Sequence, residues 1–438
     1  MKTPVATFLP LTSLKNFKAC LDFITWLKKN QQSGWLMLPI NDSIAQPYRN
    51  QGIGIASFFY DDQVPQEYRQ WIIDKNDFIN EHKDWLLDYA LYKALSEYFK
   101  TEHWWQWPPE IAAYQTEALI NWRLKLRSRI EVFIDEQYFL MNQMKILKRK
   151  ADEHEIVLIG DLPFYVAQAS SLVWSHQDLF VLSQDGQLKF QSGVPASKDE
   201  PFGEQFWGHP LYNWEEAGVK KVISIFTLRL KFLSAIYDLV RIDHANGFFR
   251  YGIMSPENPQ WNKKVDGPGA QAMDYLLKQA QKINLGIFLE DIASDSMKLE
   301  HYIKENQLVG MKVATLKYNL DNYDSKKLEN ISDSQLKLQN MGGNNVIFSS
   351  THDTTPLITW VKALPESVKQ RIIALNQFDS GITDRGFALA LREKILTQKA
   401  KLIIIPWQDW QLDDFRFNVP GKEELTNWHY QVEIEKYL

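Results

Sequence analysis

Leu239-Val240-Arg241-Ile242-Asp243-His244 has the length of one buried strand and stops abruptly at an acidic residue and a histidine. Apolar runs of the same kind recur at residues 5–9, 35–40, 156–159, 286–289, 311–316, 346–349 and 402–406. A strand covered on both faces loses the alternation of a half-exposed one and reads as a continuous apolar stretch, which is the signature of a parallel sheet. Between the runs lie helical spacings such as Leu14, Phe17, Leu21, Ile24, Leu27 and Trp85, Tyr89, Tyr92, Ser96, Phe99. Strand then helix, eight times over, predicts an α/β chain closed as a (β/α)₈ TIM barrel, with its functional groups on loops at the C-terminal ends of the strands.

The runs are unevenly spaced. A Trp-rich stretch with helical periodicity, 60–150, follows the second run, and a Gly- and Pro-punctuated stretch, 162–235, follows the third. The strand pattern resumes after each, so both read as helical and loop-rich insertions within one catalytic domain spanning 1–438. In the first of them Trp104, Trp105 and Trp107 fit either a helical packing seam or a secondary sugar site.

Charge excludes several function classes. Lys and Arg number 49 against 54 Asp and Glu, a net charge of −5, and no block of like charge marks a nucleic-acid partner. No uninterrupted apolar stretch approaches the ~18 residues of a membrane span, and the run 5–11 has no secretory cleavage pattern behind it, so the expected location is the cytoplasm. The single cysteine, Cys20, sits on a helical pattern where packing suits it. No P-loop, Gly-x-Ser-x-Gly elbow, His-Glu-x-x-His or cysteine cluster is present, and Gly52-Ile53-Gly54 lacks the third glycine of a dinucleotide fingerprint. Chemistry without cofactor or metal is expected.

Acidic residues recur where the runs end: Gly160-Asp161-Leu162-Pro163, Ile242-Asp243-His244, Leu289-Glu290-Asp291 and Thr351-His352-Asp353. A single acid in such a place is an ordinary turn former or helix cap. Four converging on one barrel mouth suit another role. Asp243 and Glu290, on adjacent strands, could face each other at the ~5–5.5 Å of a retaining glycosidase pair, with Asp353 holding ring hydroxyls. Arg241 beside Asp243 fits either an ionising partner for a nucleophile or a structural ion pair.

At these residues the chain resembles the 4-α-glucanotransferases, the amylomaltases or disproportionating enzymes of glycoside hydrolase family 77. Gly160-Asp161-Leu162-Pro163-Phe164-Tyr165-Val166-Ala167 followed by Val173-Trp174 is similar to that family's GDLPIYVA…VW block. Ser192-Gly193-Val194-Pro195, Gln205-Phe206-Trp207-Gly208 and Pro210-Leu211-Tyr212-Asn213-Trp214 resemble its SGVPPD…GQLWGNPLYDW segment. Arg241-Ile242-Asp243-His244, Glu290-Asp291, Gly310-Met311-Lys312-Val313 and Thr351-His352-Asp353 look like RIDH, AEDLG, GMKV and THDN, and Arg416, Asn418, Pro420-Gly421 and Asn427-Trp428 like R-x-N-x-PG…NW.

The resemblance implies a (β/α)₈ barrel that disproportionates maltooligosaccharides or other α-1,4-glucans, with Asp243 as nucleophile, Glu290 as general acid/base and Asp353 as transition-state stabiliser. It also implies glucan contacts from Tyr48, Gln205, Trp207, Arg241, His244, His352 and Asn418, and Asp161 joins them as a substrate-binding candidate. The chain departs from the family pattern at Ala245-Asn246, where Phe-Arg is expected, at Thr354, where Asn is expected, at Ala196-Ser197, and at Ala293, where a glycine is expected. Two rivals follow from these departures: a retaining α-glucan hydrolase whose altered loops admit water, and a catalytically impaired protein that binds a glucan or a partner.

Overall fold

The computed structural model describes residues 2–43, 46–57, 64–196, 203–255, 257–293, 295–317, 332–337, 341–419 and 427–438. Eight parallel strands form one sheet: Val5–Phe8, Gly34–Leu36, Val157–Leu162, Leu239–Ile242, Gly286–Leu289, Gly310–Val313, Asn345–Phe348 and Leu402–Pro406. Each lies beside its neighbours in the chain, and the first also pairs in parallel with the eighth, Val5 opposite Ile403. The fifth and sixth strands therefore meet at a seam. There the Leu289 N–H donates to the Val309 carbonyl (2.9 Å) and the Met311 N–H donates to Asp291 Oδ1 (2.8 Å), which closes the barrel.

Helices coat the outside. Phe17–Lys29, capped by the Asn16 side chain accepting from the Ala19 N–H, buries Phe17, Leu21, Ile24 and Leu27 against the sheet, and Cys20 is buried with them. Between the second and third strands the chain runs through Lys75–His82, Leu86–Phe99, Thr116–Lys125 and Arg127–Glu153. Trp104 and Trp107 are buried there, their indole N–H groups donating to the carbonyls of Gln168 (2.8 Å) and Thr101 (3.1 Å), and Trp107 packs edge-on to Trp174. They form a packing seam. Among the described residues no helix is long and apolar enough to cross a membrane, and no group of three or more His, Cys, Asp or Glu could hold a metal ion.

The strands differ from the apolar runs at their ends. The second stops at Leu36, and at Leu38 the backbone turns to φ 66°; the sixth stops at Val313 and coils into Ala314–Lys317. Apolar turns extend a hydrophobic run without extending a strand. The third does the opposite and continues through Gly160 and Asp161 to Leu162, because the charge of Asp161 has a buried partner in Arg241. The stretch expected to be loop-rich also holds ladder structure, with Gln191–Val194 and Gln205–Pro210 in a four-stranded sheet beside Arg250–Met254 and Lys263–Asp266. Gly193 allows it, since a Cβ there would stand 2.1 Å from the Gln205 carbonyl oxygen.

Gly160 is constrained in the same way. A Cβ at this position would sit 2.4 Å from the Tyr237 ring, so Tyr237 packs flat on the strand that carries Asp161. Gly160→Ala should therefore destabilise the protein by about 1–3 kcal/mol through overpacking, read as a lowered urea midpoint at unchanged m-value.

Candidate active site

The C-terminal ends of the strands surround a cavity of about 470 Å³. Eight of the eleven residues expected at the site line it: Tyr48, Gln205, Trp207, Asp243, His244, Glu290, Asp353 and Asn418. Asp161, Arg241 and His352 are buried behind its wall.

The floor is organised by one guanidinium. Arg241, in the fourth strand and 3% exposed, donates from Nε to Asp161 Oδ1 (2.9 Å) and from Nη2 to Asp161 Oδ2 (2.8 Å), the Tyr48 hydroxyl (2.8 Å) and Asp243 Oδ1 (2.9 Å). Its Nη1 lies 3.2 Å from Glu290 Oε2. The fork geometry of Arg permits this simultaneous contact, which a lysine point charge does not reproduce.

Asp161 stands behind the cavity wall, against Arg241 and Tyr48. It is wholly buried, and its two oxygens are taken by Arg241 and by the Tyr48 hydroxyl, which donates to Oδ2 (2.6 Å). The Tyr48 phenol is pushed well up by burial, so it stays protonated as that donor. Tyr48 arrives from the turn between Asn41–Ser43 and Asn50–Ile55. Arg229, also buried, ties that region to the loop after the third strand by donating to the carbonyls of Gly52 (3.0 Å) and Pro163 (2.6 Å).

Asp243 and Glu290 face the cavity with side chains 20% and 18% exposed. Burial pushes the Asp243 carboxyl well above the usual range against the pull of Arg241, with the charge of Glu290 adding to the rise. Burial also opposes ionisation of Glu290, but Arg241 and the His244 N–H outweigh it and hold its pKa below the ordinary value. The two carboxyls thus titrate as one unit. His244 makes its contribution from the left-handed region (φ 44°, ψ 43°), a strained setting that aims its N–H at Glu290 Oε2 (2.7 Å).

Asp353 stands opposite. His352 Nε2 is 2.9 Å from its Oδ2, and Asn418 Nδ2 donates to its Oδ1 (2.6 Å). Burial opposes its charge, yet His352 and Asn418 bring its pKa below the usual value. The C-terminal segment completes the arrangement, with Arg416 donating to the Asp353 carbonyl, Asn427 donating to Asn418 Oδ1 (3.1 Å), and Trp428 closing on the stacked pair of Tyr48 and His352 (centroids 5.3 Å).

Three departures from the family pattern have local accommodations. The Thr354 hydroxyl accepts from the Thr351 N–H (2.7 Å) and so holds the turn that presents Asp353. Asn246 donates to Asp295 Oδ1 (3.0 Å), and Lys264 (3.1 Å) and Arg250 (3.4 Å) bring positive charge to the same carboxylate. The backbone at Ala293 is absent from the positive-φ residues, so no glycine is required there. Ser197 lies outside the described residues, as do Pro420 and Gly421.

The cavity also contains residues that the strand-end acids did not point to: Arg49, Tyr165 and His209. Behind it, buried Asp409 accepts from the Ser349 hydroxyl (2.5 Å), the Ser350 hydroxyl (2.7 Å) and the Leu357 N–H (2.8 Å). It thereby grips both ends of the loop carrying His352 and Asp353. No sequence signal marks it, since an acid one turn into a helix is unremarkable. Asp409→Ala should lower stability by about 1–3 kcal/mol by orphaning those donors, with Asp409→Asn losing less; thermal melting measures this, and a structure of the alanine variant should show Asp353 displaced from Asn418.

Comparison with known proteins bears on this arrangement. The model of the 4-alpha-glucanotransferase family, glycoside hydrolase family 77, matches residues 59–435. The 4-alpha-glucanotransferase of Aquifex aeolicus (strain VF5) is 27% identical over 462 residues, covering 95% of this chain and 91% of that protein. That of Synechocystis sp. is 30% identical over 366 residues, covering 81% and 68%. The amylomaltase from Streptococcus agalactiae, solved in complex with acarbose, shares the fold at a TM-score of 0.83 and 22% identity, covering 100% of this chain and 96% of its own. On the family match and these relatives, the chain belongs to the 4-alpha-glucanotransferase family, glycoside hydrolase family 77.

Proposed function

We propose that this protein is a cytoplasmic 4-α-glucanotransferase that moves α-1,4-glucan segments between maltooligosaccharides by a retaining double displacement, with 1–438, including the insertions 60–150 and 162–235, as one catalytic unit. The observation that carries the reading is the pairing of Asp243 and Glu290 on the single Arg241 guanidinium. A close-set pair suits a nucleophile and an acid, whereas an inverting pair needs ~6.5–9.5 Å between carboxyls for a water molecule.

Asp243 Oδ attacks the anomeric carbon while Glu290 gives its proton to the departing glycosidic oxygen, leaving a covalent glycosyl-enzyme. A hydroxyl of an acceptor glucan then attacks that carbon, Glu290 takes its proton, and Asp243 is released. Every proton and bond in this sequence is supplied by the two carboxyls, so the mechanism uses no cofactor. Asp353 holds the ring hydroxyls of the distorted sugar, with His352 and Asn418 fixing its direction. Arg241 is the positioning cation. Around Asp243 the rings of Trp207 and His244 meet edge-on (5.0 Å) and Tyr165 lies beside both, an aromatic wall suited to receiving an acceptor sugar in place of water.

Attack needs the pair to hold a single proton, on Glu290, with Asp243 ionised. Burial favours that proton on Asp243 in the empty site, so the productive form is reached by moving it between the coupled carboxyls. The kcat/KM profile should be bell-shaped: it falls at low pH as the pair takes up a second proton and at high pH as it loses its last. A profile flat from pH 4 to 9 would reject the paired assignment.

Incubation with maltotriose should yield glucose together with chains longer than the substrate. Glucose and maltose alone would indicate the hydrolase, and saturable binding without products would indicate the impaired binding protein. Asp243→Asn should reduce turnover by about 10⁴-fold or more while maltooligosaccharide binding persists; product separation over time and calorimetry read the two effects.

A further inference from the structure

His209 is 8% exposed and lines the cavity. Several of its neighbours in the wall are engaged with the protein: Tyr48 with Asp161, Gln205 Oε1 accepting from Trp207 Nε1 (3.0 Å), Asn418 with Asp353, and Glu290 with the His244 N–H. Among the described residues no hydrogen-bond partner meets the His209 ring, which stacks on the Tyr165 ring at 5.9 Å. An imidazole that packs one face on an aromatic ring at a cavity wall, with its nitrogens free of protein partners, has both its donor and its acceptor available to a ligand.

The placement of His209 is set by its strand. Gln205, Trp207 and His209 of Gln205–Pro210 all line the cavity. Between the last two the strand bulges, with Gly208 at φ 76° and the register against Gln191–Val194 slipping there, and His209 follows that bulge as the next cavity residue along the strand. The family segment that Gln205-Phe206-Trp207-Gly208-His209-Pro210 resembles has asparagine at this place.

We propose that His209 is a specificity-determining residue that hydrogen-bonds a hydroxyl of a glucose unit beyond the two that the cleaved bond joins, which makes it a reader of glucan length and not a proton donor. This rests on the glucanotransferase reading of the pocket. Burial, with the positive charge of Arg49 adding to it, drops the imidazole pKa to about 3, so the ring is neutral through the working pH range. A neutral imidazole offers one N–H and one lone pair. Sugar hydroxyls both donate and accept, so one such ring can pair with either of two neighbouring hydroxyls.

The test compares native protein, His209→Phe, which keeps an aromatic ring against Tyr165 and removes both nitrogens, and His209→Asn, which restores the family's residue. Each is assayed on maltooligosaccharides of three to seven glucose units. In His209→Phe, kcat/KM should fall about three- to tenfold, the worth of one neutral hydrogen bond, but only for chains long enough to reach the residue, and by the same factor from pH 5 to 8. His209→Asn should fall by less.

An equal loss at every length, a loss that varies with pH over that range, or no loss in either variant would overturn the proposal. If native protein binds maltoheptaose without turning it over, the catalytic reading fails, and calorimetric Kd values decide His209 separately: weaker binding by the phenylalanine variant supports it, and equal binding overturns it. Absence of maltoheptaose binding by native protein overturns both. Should His209→Phe fail to fold, as shown by its melting curve, a native length profile in His209→Asn would overturn the proposal and a length-dependent loss would support it.

Discussion

The Arg241 guanidinium carries a single positive charge into a nearly dry region that also contains the carboxyls of Asp161, Asp243 and Glu290. A buried charge without partners costs several kcal/mol, and so does each unpaired carboxylate, so these groups are stable only together. Their mutual geometry then fixes the rest. Asp161 lies in the third strand, Arg241 in the fourth, Asp243 just after it and Glu290 just after the fifth, so one cation sets the relative height of three adjacent strand ends. The barrel in turn supplies what the cation needs. Parallel strands bring their C-terminal ends to the same level, and the Tyr48 hydroxyl reaches in from the loop after the second.

The loops above this floor are held by a second tier of buried polar groups: Asp291 at the barrel seam, Arg229 under the second and third loops, Asp409 under the seventh. Arg229 joins the segments that carry Tyr48 and Asp161, Asp409 holds both ends of the loop that carries Asp353, and Asp291 ties the strand end that carries Glu290 to the sixth strand. This tiering explains how the chain tolerates changes close to its carboxylates. Thr354 answers a backbone N–H within the turn, and Asn246 joins Lys264 and Arg250 around Asp295. The changed residues alter how loops are fastened and leave the Arg241 cluster untouched.

The eight strands and the acids at their ends were legible because strands buried on both faces are written as apolar runs, and because a charge that ends such a run stands out. Asp243, Glu290 and Asp353 could be read in this way. Asp161 was legible as an acid but not for its depth, since nothing local shows that its strand continues past it toward a buried arginine 80 residues later. The ladder of Gln191–Val194 with Gln205–Pro210 was hidden by its glycines and short length, and with it the bulge at Gly208 that brings His209 to the cavity. Asp409 was invisible because its importance lies wholly in three donors from another loop. Contacts distant in sequence leave a local trace only when burial on both sides imposes one.

Asp353 has one partner on each carboxylate oxygen, His352 on one and Asn418 on the other, and each oxygen keeps a second lone pair. On the proposed reading, a sugar hydroxyl joins these partners without displacing them, on a carboxylate whose direction the fold has already set. The group therefore has little reorientation left to make when positive charge grows on the ring, and the cost of aligning it is met during folding, ahead of any encounter with substrate.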